Sequence, residues 1–222
     1  TVLGAGAWGT ALAKLLRESG HDVRLWGHDP AHLAEVRASG CNERYLPGVP
    51  LPAGIHCVDT LPEAVRGAGE IVVAVPSRAF REVAGAMSEF RGHAISVTKG
   101  IEHNTGLTMC GVLRACAPRA RIAVLSGPSL ALEVARGIPT AIVAASEDPA
   151  AARLVQSLFH RPAFRVYTSA DPLGVEWEAG TTAGLGILPV RTEFHREKRL
   201  GRTGGIWIDG GALSFLAAPA SR

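Results

Sequence analysis

The chain has 222 residues, a net charge of +3 at pH 7, 47% hydrophobic residues and 19% charged residues, which is typical of a globular domain. So small a charge gives no sign of a nucleic-acid partner, and no apolar run is long enough to predict membrane insertion. Cys41, Cys57, Cys110 and Cys116 form no CxxC pair and no histidines have zinc spacing. We therefore expect no metal, and free thiols in a cytoplasmic protein.

Apolar stretches alternate with helical patterns along most of the chain. Strands are predicted over residues 1–3, 22–26, 70–75, 94–98, 122–125, 140–144 and 164–168. Helices are predicted over residues 8–19, 30–39, 61–66 and 150–159. This alternation predicts an α/β protein with a Rossmann-like, doubly wound parallel sheet. The first strand is shorter than the usual length of about five residues, so we expect it to be clipped.

A glycine motif follows the first strand directly. Gly4, Gly6 and Gly9 form the pattern GxGxxG at the start of a predicted helix. In that context Gly4 permits a tight turn, Gly6 lets the backbone approach a pyrophosphate, and Gly9 allows close packing of the helix on the strand. The free N–H groups of the helix N-terminus then favour phosphate. A glycine-rich turn that serves packing alone is the alternative.

The end of the second strand bears on the choice of cofactor. A Rossmann domain that prefers NAD usually has an acidic residue there, which holds the ribose 2′-hydroxyl. This chain has Gly27 and His28 instead, and the following Asp29 is a candidate N-cap for the next helix. We therefore expect NADP or NAD as cofactor, with the 2′-phosphate tolerated. His28 is either a donor to that phosphate or an ordinary exposed loop residue.

Several longer motifs resemble a known family in order and spacing. They are GAGAWGTALA at 4–13, LWGHDP at 25–30, CNERYLPGVPLP at 41–52, AVPS at 74–77, TKGIE at 98–102, LSGPSLALEVARGIPTA at 125–141 and FRVYTSADPLGVE at 164–176. Over residues 1–176 the chain is similar to bacterial NAD(P)-dependent glycerol-3-phosphate dehydrogenases. The resemblance implies reduction of dihydroxyacetone phosphate to sn-glycerol 3-phosphate for glycerophospholipid synthesis. It also implies a homodimer for intact members.

The same resemblance assigns residues to the cofactor. Ala7 and Trp8 would contact it at the start of the helix, His28 would lie near its adenosine ribose, and Ala131 would contact it from the segment after SGPS. Ser77 ends the motif AVPS. Its place after a predicted strand end, rather than the resemblance, suggests that it faces the ligand crevice and orients the nicotinamide; the alternative is that it caps a helix over residues 78–86.

The resemblance places Lys99 where nicotinamide and substrate meet, and gives substrate contacts to Gly127 and Ser129. Hydride addition to a ketone builds negative charge on the carbonyl oxygen, which a nearby ammonium stabilises. Lys99 follows a predicted parallel strand, where ligands usually bind in such sheets. The alternative is a surface lysine without a role.

The resemblance stops near residue 176. The family continues with a segment whose lysine is the proposed general acid and base, but Thr182 stands at that position here. We therefore expect a chain truncated before the catalytic domain and impaired in turnover. Two alternatives stay open, which are a non-catalytic NAD(P)-binding module or fragment and another β-hydroxyacid-type dehydrogenase.

The remaining sequence, after residue 176, does not continue the family motifs. We place a boundary at residue 176, with an NAD(P)-binding Rossmann domain over 1–176. The tail over 177–222 is expected to be irregular or partly ordered, in place of the usual helical domain. Within it, residues 184–200 are similar to the C-terminal region of cobyric acid synthases, but without that family's nucleophilic cysteine.

Overall fold

The computed structural model describes residues 1–181, 204–208 and 212–216. One sheet is built from β1 (Val2–Leu3), β2 (Val23–Trp26), β3 (Ile55–Val58), β4 (Glu70–Val73), β5 (His93–Ser96), β6 (Arg121–Ser126), β7 (Thr140–Ala145) and β8 (Phe164–Ser169). The helices are α1 (Ala7–Glu18), α2 (Pro30–Ser39), α3 (Leu61–Val65), α4 (Ser77–Gly85), α5 (Met109–Cys116), α6 (Ala131–Ala135), α7 (Pro149–Phe159) and α8 (Pro172–Thr181). Separately, β9 (Gly204–Ile208) and β10 (Ala212–Leu216) pair antiparallel.

The strand order of the large sheet is β3-β2-β1-β4-β5-β6-β7-β8. The first strand β1 lies between β2 and β4 and runs parallel to both, with Val2 opposite Leu25 and Val72. The chain therefore winds outward in both directions from β1, which confirms the predicted doubly wound fold. This reversal of strand order next to β1 is where open α/β sheets usually form a ligand crevice.

One strand pair departs from the predicted parallel sheet. β7 pairs antiparallel with β6, with Val124 opposite Ala145. The segment between them contains only the short helix α6 and returns to the same edge of the sheet that it left, so β7 has to run in the opposite direction. The helix α7 then supplies a full crossover, and β8 is parallel to β7.

The two faces of the sheet carry separate hydrophobic cores, because successive side chains of a strand point to opposite faces. Val2 packs in one core and Leu3 in the other. The first core is closed by α1 and α7, including Leu12 and Phe159, and the second by α4 and α5, including Phe80. The sheet is thus covered on both sides, and its edges remain for binding.

Local signals explain most element boundaries. The helix predicted over 30–39 is confirmed as α2 (Pro30–Ser39), and the predicted cap Asp29 accepts a hydrogen bond from the His32 N–H at 3.1 Å. The predicted strand over 70–75 ends earlier, at Val73, where the chain turns toward α4. The sequence did not indicate β3 or α5. The strand β3 pairs only with β2 in the large sheet and exposes His56, so its apolar pattern is weak.

The predicted boundary at residue 176 falls inside α8 (Pro172–Thr181), and the division into domains stays a prediction. Within the described ranges, no helix combines the length and apolar character needed to cross a membrane. The same ranges contain no group of three histidine, cysteine, aspartate or glutamate residues arranged to hold a metal ion.

Candidate functional site

A cleft of about 690 Å³ lies at the sheet edge where β1, β2, β4 and β5 end. Of the predicted site residues in the described part of the chain, all except Gly9 and Gly127 line it, namely Gly4, Gly6, Ala7, Trp8, His28, Ser77, Lys99, Ser129 and Ala131. Segments far apart in sequence thus meet at one edge, because the carboxyl ends of parallel strands lie together.

The three motif glycines have different surroundings. Gly4 has φ +125°, and a Cβ there would lie 2.5 Å from the Ala74 carbonyl oxygen. A Cβ at Gly9 would lie 1.9 Å from the Gly4 carbonyl oxygen, so α1 packs directly on the turn. A Cβ at Gly6 would meet no atom within 4 Å. Gly4 and Gly9 are therefore required by the fold, whereas Gly6 keeps space in the cleft open.

The N-terminus of α1 faces this open space. Its N-cap is Gly6, no side chain caps the first turn, and that turn contains no acidic residue. The N–H groups at the start of a helix need partners and carry the positive end of the helix dipole. Since Ala7 and Trp8 also line the cleft, this turn fits the pyrophosphate of a dinucleotide.

The packing at the end of β2 explains why position 27 carries no acidic side chain. Gly27 is buried, and a Cβ there would lie 2.9 Å from the Cβ of Ala5 in the glycine turn. A larger residue at this position would push the turn away from the strand. His28, by contrast, is exposed on the cleft.

The nearest carboxylate, Asp29, is already engaged. One oxygen accepts the His32 N–H at 3.1 Å and the other accepts Arg44 Nη1 at 2.9 Å. These hydrogen bonds, from the His32 backbone first and the Arg44 guanidinium second, lower the pKa of the Asp29 carboxyl. The Arg44 guanidinium also lies 5.3 Å from the centre of the Tyr45 ring. This end of the cleft therefore has a carboxylate that is paired with a guanidinium rather than a free carboxylate.

Sequence reasoning missed two residues that line the same end, His32 and Tyr45. Their rings meet edge to face, with centres 5.1 Å apart. Tyr45 lies in a loop rich in proline and glycine, and it is exposed although it is a large aromatic residue. An aromatic residue in such a loop was the available signal, since binding residues lie disproportionately on loops.

The opposite end of the cleft holds the predicted substrate residues. Lys99 is exposed, and its Nζ donates to the Gly127 carbonyl oxygen at 3.2 Å. Ser129 Oγ approaches the same oxygen at 3.4 Å. Gly127 itself does not line the cleft, and its predicted contact with the substrate stays a prediction. Thr98 Oγ1 donates to the Val75 carbonyl oxygen at 2.7 Å and ties the two strand ends together.

The alternative assigned to Ser77 is wrong. The N-cap of α4 is Pro76, no side chain caps that helix, and Ser77 is its first helical residue. The helix begins one residue earlier than expected because proline readily adopts the extended conformation seen at the cap, with φ −56°. Ser77 lines the cleft beside Gly100, where a Cβ would lie 3.4 Å from Ser77 Oγ.

The loop after Lys99 is braced by an ion pair. Arg81 Nε and Nη2 each donate to one carboxylate oxygen of Glu102 at 2.7 Å. This pair, together with the Thr105 hydroxyl, lowers the pKa of Glu102 from 4.5 to about 2. Since Arg81 lies on α4, the pair fixes the loop to the helix that begins at Ser77.

Comparison with known proteins gives the family. The family model described as NAD-dependent glycerol-3-phosphate dehydrogenase N-terminus matches residues 1–152. The chain belongs to this family. The resemblance drawn from the sequence motifs is therefore confirmed, and another β-hydroxyacid-type dehydrogenase is set aside.

Curated glycerol-3-phosphate dehydrogenases [NAD(P)+] agree with this assignment. The protein of Methylibium petroleiphilum is 48% identical over 180 residues, which cover 79% of this chain and 54% of that protein. The protein of Geobacter metallireducens is 43% identical, with 84% and 60% covered. The crystal structure of glycerol-3-phosphate dehydrogenase from Coxiella burnetii is 37% identical with a TM-score of 0.76, covering 80% of this chain and 55% of that one. The chain thus spans little more than half the length of these relatives.

Two predictions made from the sequence fall outside the described residues. Thr182, at the position expected for the family's lysine, is one of them. The similarity of residues 184–200 to cobyric acid synthases is the other. Both stay predictions.

Proposed function

We propose that this chain is the cofactor-binding part of an NAD(P)-dependent glycerol-3-phosphate dehydrogenase, which interconverts dihydroxyacetone phosphate and sn-glycerol 3-phosphate. The observation that carries the proposal is the uncapped first turn of α1 at Gly6, which faces the cleft beside β1. NADPH or NADH, when bound, supplies the hydride. The homodimer and the cytoplasmic location implied by the family belong to the same proposal.

The roles within the cleft follow from its two ends. The turn at Gly6, Ala7 and Trp8 binds the pyrophosphate, and His28 lies toward the adenosine ribose. At the other end, Lys99 stabilises the charge that develops on the carbonyl oxygen of the substrate. Its contact with the Gly127 carbonyl oxygen at 3.2 Å holds the ammonium over the cleft.

A phosphorylated substrate suits this end because Lys99 and Ser129 both line it. The ammonium attracts the phosphate, and the hydroxyl is a further donor. Ala131 and Ser77 also line the cleft and are assigned to the cofactor.

A second candidate is cofactor binding without catalysis, which the threonine at position 182 favours. An unactivated hydroxyl is a poor proton donor near pH 7, and general acid–base help contributes about 10² to 10⁴ in rate. The test follows the absorbance of NADPH at 340 nm with purified chain and saturating NADPH and dihydroxyacetone phosphate. We expect a turnover rate at least tenfold below an ordinary enzyme's rate of about 10 per second. Turnover near that rate would remove this candidate and establish the enzyme directly.

The cofactor proposal is tested with Gly6→Val. The backbone of Gly6 has φ −77° and ψ −176°, which valine also adopts, and its Cβ position is open. The variant should fold normally, but its side chain would occupy the space needed by the pyrophosphate. Calorimetry with NADPH and NADH should show binding to the wild type and at least a tenfold loss in Gly6→Val, which is about 1.4 kcal/mol.

The control is Gly69→Val, another position where a Cβ meets nothing within 4 Å and one that does not line the cleft. It should bind like the wild type. Equal affinity in Gly6→Val and the wild type, with both folded, would contradict the proposed site.

A further inference from the structure

A buried amide lies directly beneath the glycine turn. Asn42, in the loop after α2, has no exposed surface. Its Nδ2 donates to the Ala5 carbonyl oxygen at 3.0 Å and to Thr10 Oγ1 at 2.7 Å. Its Oδ1 lies 2.9 Å from His32 Nε2 and accepts the Tyr45 N–H at 3.2 Å. All four hydrogen-bonding positions of the amide are therefore filled.

The orientation of this amide is fixed by its backbone partners. The Ala5 carbonyl can only accept and the Tyr45 N–H can only donate, so Nδ2 must face Ala5 and Oδ1 must face Tyr45. It follows that His32 Nε2 carries a proton and donates to Oδ1. No other amide orientation satisfies these partners.

These partners belong to separate elements around the cleft. Ala5 lies in the glycine turn and Thr10 on α1, whereas His32 and Tyr45 line the wall at the adenosine end. Asn42 does not line the cleft. It is separated by 37 residues from Ala5 and by 32 from Thr10. One buried side chain thus joins the glycine turn to the wall formed by His32 and Tyr45.

We propose that Asn42 is a positioning residue for the cofactor, which sets the separation between the glycine turn and the wall formed by His32 and Tyr45. The inference rests on the proposed function, because it concerns the same cleft. A dinucleotide must contact the turn and the wall at once, so its affinity depends on their separation. The affinity of a ligand that contacts only the wall does not depend on this separation.

The test is Asn42→Asp, which keeps the size of the side chain. The ionised aspartate can still accept from His32 and Tyr45, but its second oxygen carries no proton to donate to the Ala5 carbonyl. The link to the glycine turn is therefore lost while the wall is retained. We expect NADPH affinity to fall at least tenfold by calorimetry, and affinity for adenosine 2′-phosphate, followed by NMR titration, to change less than threefold.

Matched variants separate positioning from folding. Glu43→Gln changes the charge of an exposed neighbour in the same loop and should leave both affinities unchanged. Thr10→Val removes one acceptor of Asn42 but keeps the Ala5 contact, and should weaken NADPH binding about threefold. Thr10→Ser retains a hydroxyl and should bind NADPH with the affinity of the wild type. If Asn42→Asp does not fold, the pair at Thr10 carries the test.

The outcomes distinguish the two levels of the argument. A wild type that binds neither NADPH nor NADH would remove the proposed function. If the wild type binds NADPH and folded Asn42→Asp binds it with the same affinity, only the role of Asn42 is overturned. An equal loss of affinity for NADPH and adenosine 2′-phosphate would mean that Asn42 only maintains the wall, and would also overturn the inference.

Discussion

Replacing Gly9 by alanine sets two physical effects against each other. Gly9 is within the first turn of α1, where alanine would favour the helix by about 1 kcal/mol. The added Cβ would, however, lie 1.9 Å from the Gly4 carbonyl oxygen and 3.1 Å from Ala74 Cβ. The first contact is with backbone, and Gly4 is itself held by a hydrogen bond from its N–H to the Trp26 carbonyl oxygen at 2.8 Å. The turn therefore cannot move aside easily.

Overpacking of this kind costs about 1–3 kcal/mol, and the backbone obstacle places Gly9→Ala at the upper end. Subtracting the propensity gain leaves a loss of roughly 2 kcal/mol in the free energy of unfolding. For a chain of this size, each kcal/mol changes Tm by about 2–4 °C. We therefore expect Tm to fall by roughly 4–8 °C.

The assay is thermal unfolding followed by circular dichroism, with Gly85→Ala as the matched control. Gly85 ends α4, and a Cβ there meets nothing within 4 Å, so only the propensity gain applies and Tm should hold or rise slightly. Gly9→Ala should also weaken NADPH binding, because the turn at Gly4 is displaced. If Gly9→Ala raised Tm as Gly85→Ala does, the described contact between helix and turn would be refuted.

Two further predictions concern charge. The depressed pKa of Glu102 means that its contribution to stability is complete above pH 4.5 and is lost as the pH falls toward about 2. In Arg81→Gln the decline of Tm over this range should be shallower, and an identical decline in both proteins would contradict the ion pair. Because Asp29 is engaged by Arg44, NADPH should bind no worse than NADH, and Arg44→Ala should reduce NADPH affinity relative to NADH in a competition titration. A tenfold preference of the wild type for NADH, about 1.4 kcal/mol, would contradict this.

Local sequence signals were enough for much of the fold. The glycine motif and the alternating apolar runs predicted the strand–helix order, and proline after Asp29 predicted α2 and its cap. These features depend on residues within a few positions of each other, where propensity and capping decide the structure.

The candidate site was predicted only in part. Lys99 was found because it follows a predicted strand end as well as through the family resemblance, whereas Ser129 came from the resemblance alone; both line the cleft. Tyr45 and His32 were missed, since they reach the cleft from a loop and a helix rather than from a strand end. The role of Ser77 could not be decided either, because a shift of one residue in the start of α4 changes it from cap to helical residue.

The sequence by itself determined the family, the doubly wound order and the position of the glycine turn. Only the tertiary structure decided that β7 runs antiparallel to β6, that Gly9 is enclosed while Gly6 is open, and that Asn42 joins the turn to the wall of the cleft. The physical reason is that these features arise from contacts between segments distant in sequence. The hydrogen-bond partners of a buried amide, and the atoms that an added methyl group would meet, are brought together only when the chain folds.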